Sequence, residues 1–281
     1  MREITLGQYY PVSSPIHRLD PRIKLLISIM YLVMMFFVKH FIMFGAIALG
    51  LLIVVFASRV PLLKVLKSLK VVIFLVVFTF IMTVLFYNKD GTLWCAFWII
   101  KIYKEAVINA AFLCTRLILL VLGPTMLTYT TTPVELTDAL ESLLKPLAMI
   151  GIPVHYLAII MQIALRLIPS FIEETDKIIS AQKSRCADFD TGNLFRRAKA
   201  MIPVIIPLII SAFKRADDLA DAMDSRCYRG AKGRTRYKKM KMRFTDALML
   251  ILMAVVFFVV LVVNYNWFPG IIDFSAIRWF V

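Results

Sequence analysis

Ser184-Arg185-Cys186 and Ser225-Arg226-Cys227 are two copies of one tripeptide, and each closes a long helical pattern at its polar end. Placing Arg185 on Arg226 also pairs Ser170 with Ser211, Asp176 with Asp217, Ile178 with Leu219 and Ala181 with Ala222. That register gives the two helices a weak internal repeat. Two matching arginine tips on one chain imply docking on two similar partners. Because the tips occupy a polar stretch set between apolar runs, the fold must combine membrane spans with a region outside them.

The flanking sequence is written for lipid. Of 281 residues, 60% are hydrophobic, and several apolar runs approach bilayer length, so a multi-pass membrane protein is expected and a soluble fold is excluded. Residues 1–20 lack a basic segment followed by an apolar core and a cleavage site, so the first span is expected to act as its own insertion signal. The net charge of +15 fits cations gathered on the cytoplasmic side of the spans. Cys95, Cys114, Cys186 and Cys227 form no CxxC pair, so neither a structural disulfide nor a cysteine metal site is expected.

In chain order, the proline-containing stretch up to Leu25 should run along the membrane surface. Asp20-Pro21 signals a helix start, with aspartate as cap and proline in the first turn. Spans are expected at 25–38, 41–57, 71–87 and 106–129, the first two joined by a hairpin at Lys39-His40. Arg59, Lys64, Lys67 and Lys70, with no acid among them, form an amphipathic cytoplasmic connector. Asn88 to Gly91 reads as an outer turn, and Thr92 to Tyr103, with Trp94 and Trp98, as an aromatic segment at the outer interface. Arg116 lies deep in the fourth span and must face protein, water or a partner; a pathway role and a structural pairing with Asn109 or a neighbouring helix both remain open. Gly123-Pro124 should kink that span.

Thr132-Pro133-Val134-Glu135 is a capping box with proline at the first helical position, so a cytoplasmic helix starts there. A long helix from Pro153 to about Cys186 and a second from Leu194 to Tyr228 follow, separated by a turn at 189–193. Each is apolar in one half and charged in the other. Nine basic residues from Arg226 to Arg243, with no acid, anchor a fifth span at 244–263; no stacking platform accompanies them, so nucleic acid is not an expected partner. The fold class is all-α: a polytopic membrane protein with about five transmembrane helices and a cytoplasmic coupling domain of long amphipathic helices. The expected domains are 1–131, 132–243 and 244–281.

Catalytic signatures are sparse. No phosphate loop, GxSxG or HExxH occurs, and His17, His40 and His155 are far apart. Asp217-Asp218-Leu219-Ala220-Asp221 could hold Mg²⁺ and a diphosphate as in membrane prenyltransferases, but no second aspartate-rich helix with matching spacing faces it: Glu173, Glu174 and Asp176 lack that spacing. Beside Lys214 and Arg215 the cluster reads instead as an ion-paired, solvated face. A self-sufficient carrier would need a site among the spans, for which Arg116 is the candidate.

The order of features resembles the EcfT/CbiQ family, the transmembrane scaffold component of energy-coupling factor (ECF) transporters. The resemblance spans nearly the whole chain and is carried by Ser14-Pro15-Ile16-His17-Arg18-Leu19-Asp20-Pro21-Arg22-Ile23-Lys24-Leu25, by Thr131 to Leu136, by Ala164-Leu165-Arg166-Leu167-Ile168-Pro169 and by the two tips. The family pattern at each tip is Ala-Arg-Gly, against Ser-Arg-Cys here. Cysteine tolerates positive φ poorly, so the left-handed backbone that glycine would supply is not expected at Cys186 or Cys227. The resemblance implies a four-protein complex in the cell membrane: this scaffold, two ABC-type ATPases and a small membrane protein that binds the vitamin or metal. Arg185 and Arg226, flanked by Ser184, Cys186, Ser225 and Cys227, would each dock in an ATPase groove. It further implies no catalysis and no cofactor in this chain, ATP being bound by the partners. The N-terminus and coupling domain would be cytoplasmic, the C-terminus outside.

Overall fold

The computed structural model describes residues 8–86, 93–97, 100–151, 153–187, 189, 193–230 and 242–265. The expected turn at 88–91, the middle of that expected at 189–193, most of the basic run (231–241) and the residues after 265 lie outside them. Eight helices are described: α1 Pro21–Phe37, α2 Phe41–Ser58, α3 Leu62–Leu85, α4 Lys104–Thr130, α5 Pro133–Leu143, α6 Val154–Ser184, α7 Leu194–Ser225 and α8 Phe244–Tyr265. A 3-10 turn covers Lys145–Ile150. Helices α2, α4, α6 and α8 are long and apolar enough to cross a membrane, and α3 makes a fifth if its bend is allowed. Apart from one short hairpin, the described residues are thus helical, and the protein is a multi-pass membrane protein of the all-α class. At 17 residues α1 is shorter than those. Helix α6, expected outside the bilayer, meets the length and composition of a span because its N-terminal half is apolar.

The segment expected as an aromatic interfacial stretch forms a two-stranded antiparallel hairpin, β1 Leu93–Phe97 and β2 Ile100–Tyr103, with Leu93 opposite Tyr103 and Phe97 opposite Ile100. Aromatic and β-branched residues favour strands, and here they pair locally. Helix α4 then starts directly at Lys104.

The described residues fall into two compact units, one drawn from 8–139 with 242–265, the other from 140–230. In the first, Tyr31, Met34, Met35 and Val38 of α1 and its end pack with Phe44 and Ile47 of α2, Leu119 of α4 and Val260 of α8. A second cluster joins Val55, Val60, Val65, Met126 and Tyr129. A side chain at Gly123 would overlap the Tyr31 ring, and the Tyr31 hydroxyl donates to the Leu119 carbonyl at 2.8 Å. Gly123 therefore lets α1 approach α4 closely.

Local signals set the helix starts. Asp20 is the N-cap of α1, its carboxylate accepting from the Arg22 amide at 3.0 Å with Pro21 at the first position. Thr132 and Glu135 exchange reciprocal bonds, Glu135 amide to Thr132 Oγ1 at 3.3 Å and Thr132 amide to Glu135 Oε2 at 3.4 Å, as the capping box requires. Nearby, Lys24 Nζ donates to the carbonyls of Thr130 (2.8 Å) and His17 (3.2 Å). The His17 ring donates through Nε2 to the Tyr10 carbonyl at 3.0 Å and accepts at Nδ1 from Ser14 at 2.7 Å. Burial holds its pKa below the ordinary 6.5, so the ring serves as a neutral tie.

One carboxylate does what no local pattern indicates. Asp246, 1% exposed, accepts from the Arg243 amide at 2.7 Å and from the Asp20 amide at 3.1 Å. It thereby caps its own helix α8 and satisfies the amide that begins α1, where both helix dipoles favour its charge. Asp246→Ala strips two buried amides of their acceptor. It is expected to destabilise the protein by about 2–4 kcal/mol, read as a lowered melting temperature in detergent, whereas Asp246→Asn should lose less.

Candidate functional site: the twin arginine tips

Helices α6 and α7 end alike. Arg185 is the C-cap of α6 with φ −90° and ψ 17°, and Arg226 that of α7 with φ −90° and ψ 11°. The following cysteines are left-handed, Cys186 at φ 63° and Cys227 at φ 54°. This overturns the expectation drawn from the missing glycine. The reason lies in the hydrogen bonds. The Cys186 amide donates to the Lys183 carbonyl and the Ala187 amide to Gln182, both at 3.0 Å; the Cys227 amide donates to Asp224 at 2.9 Å and the Tyr228 amide to Met223 at 3.1 Å. Each pair is a Schellman closure of orphan carbonyls, and two such bonds offset the roughly 1–2 kcal/mol that a left-handed L-residue costs.

The closure turns the chain sharply at each arginine and leaves Arg185, Cys186, Arg226 and Cys227 exposed. Ser184 donates back to the Ser180 carbonyl (3.2 Å) and Ser225 to Ala222 (3.1 Å). These hydroxyls are thus engaged with their own helices, and the guanidinium is the group each tip offers outward. At a helix C-terminus a cation is also favoured by the dipole. Cys186 and Cys227 are free thiols.

The repeat extends from the tips to the place where the helices meet. Arg215 of α7 reaches α6, Nη1 donating to Ser170 Oγ at 2.6 Å and Nη2 to Glu174 Oε2 at 2.7 Å, while its guanidinium lies 5.2 Å from the Phe171 ring centre. Glu174 also accepts from Ser211. In the register that places Arg185 on Arg226, Ser170 corresponds to Ser211 and Glu174 to Arg215. The contacts therefore run Ser170 to Arg215 and Glu174 to Ser211, the exchange expected across a local twofold. At ~1.5 Å per residue the clasp lies about 16 to 23 Å from each arginine, the same on both arms. It also falls near the middle of each helix. Arg215 thus bonds across to α6, a correction to the reading that made it a partner of the aspartate cluster.

Those aspartates, Asp217, Asp218, Asp221 and Asp224, are exposed along α7. Among the described residues no group of three or more His, Cys, Asp or Glu could hold a metal ion. The apolar half of α6 lines an open groove of about 400 Å³ with Ile160, Ile163, Ala164, Leu167, Ile168 and Phe171. On α7 the apolar half exposes Ile202, Ile205, Ile206, Ile209, Ile210 and Phe213.

Arg116 sits apart, in the first unit. Its Nη2 donates to the Val38 carbonyl at 2.7 Å, and its guanidinium lies 4.9 Å from the Phe112 ring centre and 5.9 Å from that of Phe44. Val38 is the C-cap of α1, so the cation answers one of that helix's orphan carbonyls and its negative dipole end.

The described residues thus define a multi-pass helical membrane protein whose two longest helices meet near their middles and end in exposed arginines. The chain belongs to the CbiQ family, described as cobalt transport protein, whose family model matches residues 12–237. It is similar to the energy-coupling factor transporter transmembrane protein EcfT of Clostridium kluyveri, 45% identical over 246 residues, 88% of this chain and 91% of that one. The protein of the same name from Ruminiclostridium cellulolyticum is 44% identical over 95% of this chain and 100% of its own length. That of Bacillus subtilis is 41% identical over 85% and 90%. Membership of the ECF transmembrane components does not favour a prenyltransferase or a self-sufficient carrier.

Proposed function

We propose that this chain is the non-catalytic scaffold of an ECF-type ABC importer, coupling ATP hydrolysis by two ATPase subunits to movement of a substrate-binding membrane subunit that takes up a vitamin or metal ion. Arg185 and Arg226, with Ser184, Cys186, Ser225 and Cys227 shaping each tip, are the ATPase-docking residues. A guanidinium presents a planar fork of donors suited to a groove of carbonyls and carboxylates. The observation that carries the reading is the pair of equivalent Schellman-closed tips at equal distances from one clasp. Two like subunits that close on ATP would move both tips together, and a crossing fixed by Arg215 and Glu174 would pass that motion to the apolar halves.

Those apolar halves, with large side chains exposed on both helices, would face the substrate-binding subunit and the bilayer, so substrate selectivity would lie outside this chain. ATP would bind the partner subunits, and this chain would need no cofactor of its own. The membrane domain would comprise residues 1–131, the coupling domain 132–243 and the last span with its tail 244–281. The N-terminus and coupling domain would be cytoplasmic and the C-terminus outside. The test is purification of the tagged chain from its native membrane in mild detergent, with co-purifying subunits identified by mass. Two ABC-type ATPases and a small membrane protein are expected; a chain that purifies alone would overturn the proposal.

A further inference from the structure

Helix α3 is not a plain span. It begins at Leu62, includes the three lysines of the basic connector, and turns by 55° between Leu62–Lys70 and Val72–Leu85. That exceeds the tilt of most transmembrane helices, about 20°, so the first arm runs closer to the membrane plane than the span it feeds. The arm has a buried side and an exposed side. Val65, 5% exposed, packs into the cluster of Val55, Val60, Met126 and Tyr129, and the Tyr129 hydroxyl donates to the Lys64 carbonyl at 3.0 Å, fixing the arm's roll. Leu62, Leu63 and Leu66 are exposed at 42%, 73% and 59%. Beside them Lys64, Lys67 and Lys70 are also exposed, and Lys64 lies over the Tyr10 ring at 4.1 Å.

Exposed Arg59 adds a fourth cation just before the arm. From Pro21 to Lys89 the chain contains no aspartate or glutamate, so nothing in that stretch neutralises these charges. Leucines and lysines interleaved on the side of the arm away from buried Val65, with the arm oblique to its span, match a helix lying in the lipid headgroup layer. There the leucines enter the acyl boundary and the lysines extend to phosphates.

We infer that Leu62–Lys70, with Arg59, is a binding surface for anionic phospholipid, the headgroup phosphates held by Lys67, Lys70 and Arg59 and the acyl chains by Leu62, Leu63 and Leu66. A free phosphate would gain nothing from the leucines; the lipid satisfies leucines and lysines at once. The occupied surface anchors the inner end of α3 at the depth of the headgroups.

The test uses the purified full chain in mild detergent, titrated with phosphatidylglycerol or phosphatidylcholine, with bound lipid counted by native mass spectrometry. Phosphatidylglycerol is expected to be retained in preference to phosphatidylcholine, and raising salt from about 0.05 to about 0.5 M should weaken it. Lys67→Gln with Lys70→Gln should lower its apparent affinity by about tenfold or more, each lysine near an anionic surface counting for about fivefold. Lys177→Gln with Lys214→Gln removes the same charge elsewhere and should leave retention unchanged. Equal retention of the two lipids, equal loss in the control pair, or displacement by inorganic phosphate at matched concentration would each overturn the inference; the first and third are read on the unaltered protein.

Discussion

Arg185→Glu combined with Arg226→Glu is expected to strip the ATPase subunits from the purified complex while the chain itself stays folded. Both side chains are exposed, and the Schellman closures beneath them use backbone groups alone, so the substitutions remove no intramolecular contact that holds a tip together. An arginine seated in a partner's groove commonly contributes about 2 kcal/mol or more to an interface. Reversing its sign adds repulsion from the acceptors it met. Across two tips the expected loss in affinity is about 100- to 1000-fold, read as the ATPase yield in pull-downs at matched expression. Each single reversal should fall between. Cys186→Gly with Cys227→Gly is the control: it keeps both guanidiniums and relieves two left-handed L-residues, so docking should persist. Full ATPase recovery with the double reversal would remove the tips from the interface.

The features legible in the sequence are those whose partners lie within a few residues. Asp20-Pro21 and the Thr132 to Glu135 box announced two helix starts because a cap is a local geometry. The two long helices were legible from apolar and charged halves, and their tips from the repeated tripeptide. Asp246 was not. Its second acceptor contact is to the Asp20 amide, far away in sequence, and an amide carries no residue identity. Arg116 is the same case: its partner is the Val38 carbonyl, so no side-chain pattern marked it. The left-handed cysteines went against residue preference because two backbone bonds per tip outweigh a modest strain. The clasp was half legible. Ser170 and Ser211 stood out as repeat partners, but Glu174 and Arg215 occupy equivalent positions with opposite charges, and a search for similarity passes over complementarity.

That complementarity gives the clasp its own test. Glu174→Arg sets two guanidiniums together at the crossing, and Arg215→Glu sets two carboxylates there; in either case Ser170 and Ser211 cannot satisfy both like charges. The pair is partly exposed, at 34% for Arg215 and 24% for Glu174, so solvent screens its attraction, and the main effect of a reversal is the repulsion between like charges held where the helices meet. Each single reversal is expected to lower substrate uptake by the reconstituted complex about tenfold or more while ATPase subunits still co-purify, because the tips are untouched and only the angle between the arms is released. The double swap, Glu174→Arg with Arg215→Glu, restores an ion pair across the local twofold, since each residue takes the place of its repeat equivalent. Uptake should return to within about threefold of the unaltered protein, where independent losses would multiply to about 100-fold, a coupling of about 30-fold between the two positions. Additive losses in the double swap would mean that each side chain acts alone, and uptake unchanged in both single variants would mean that the crossing does not transmit the movement of the tips.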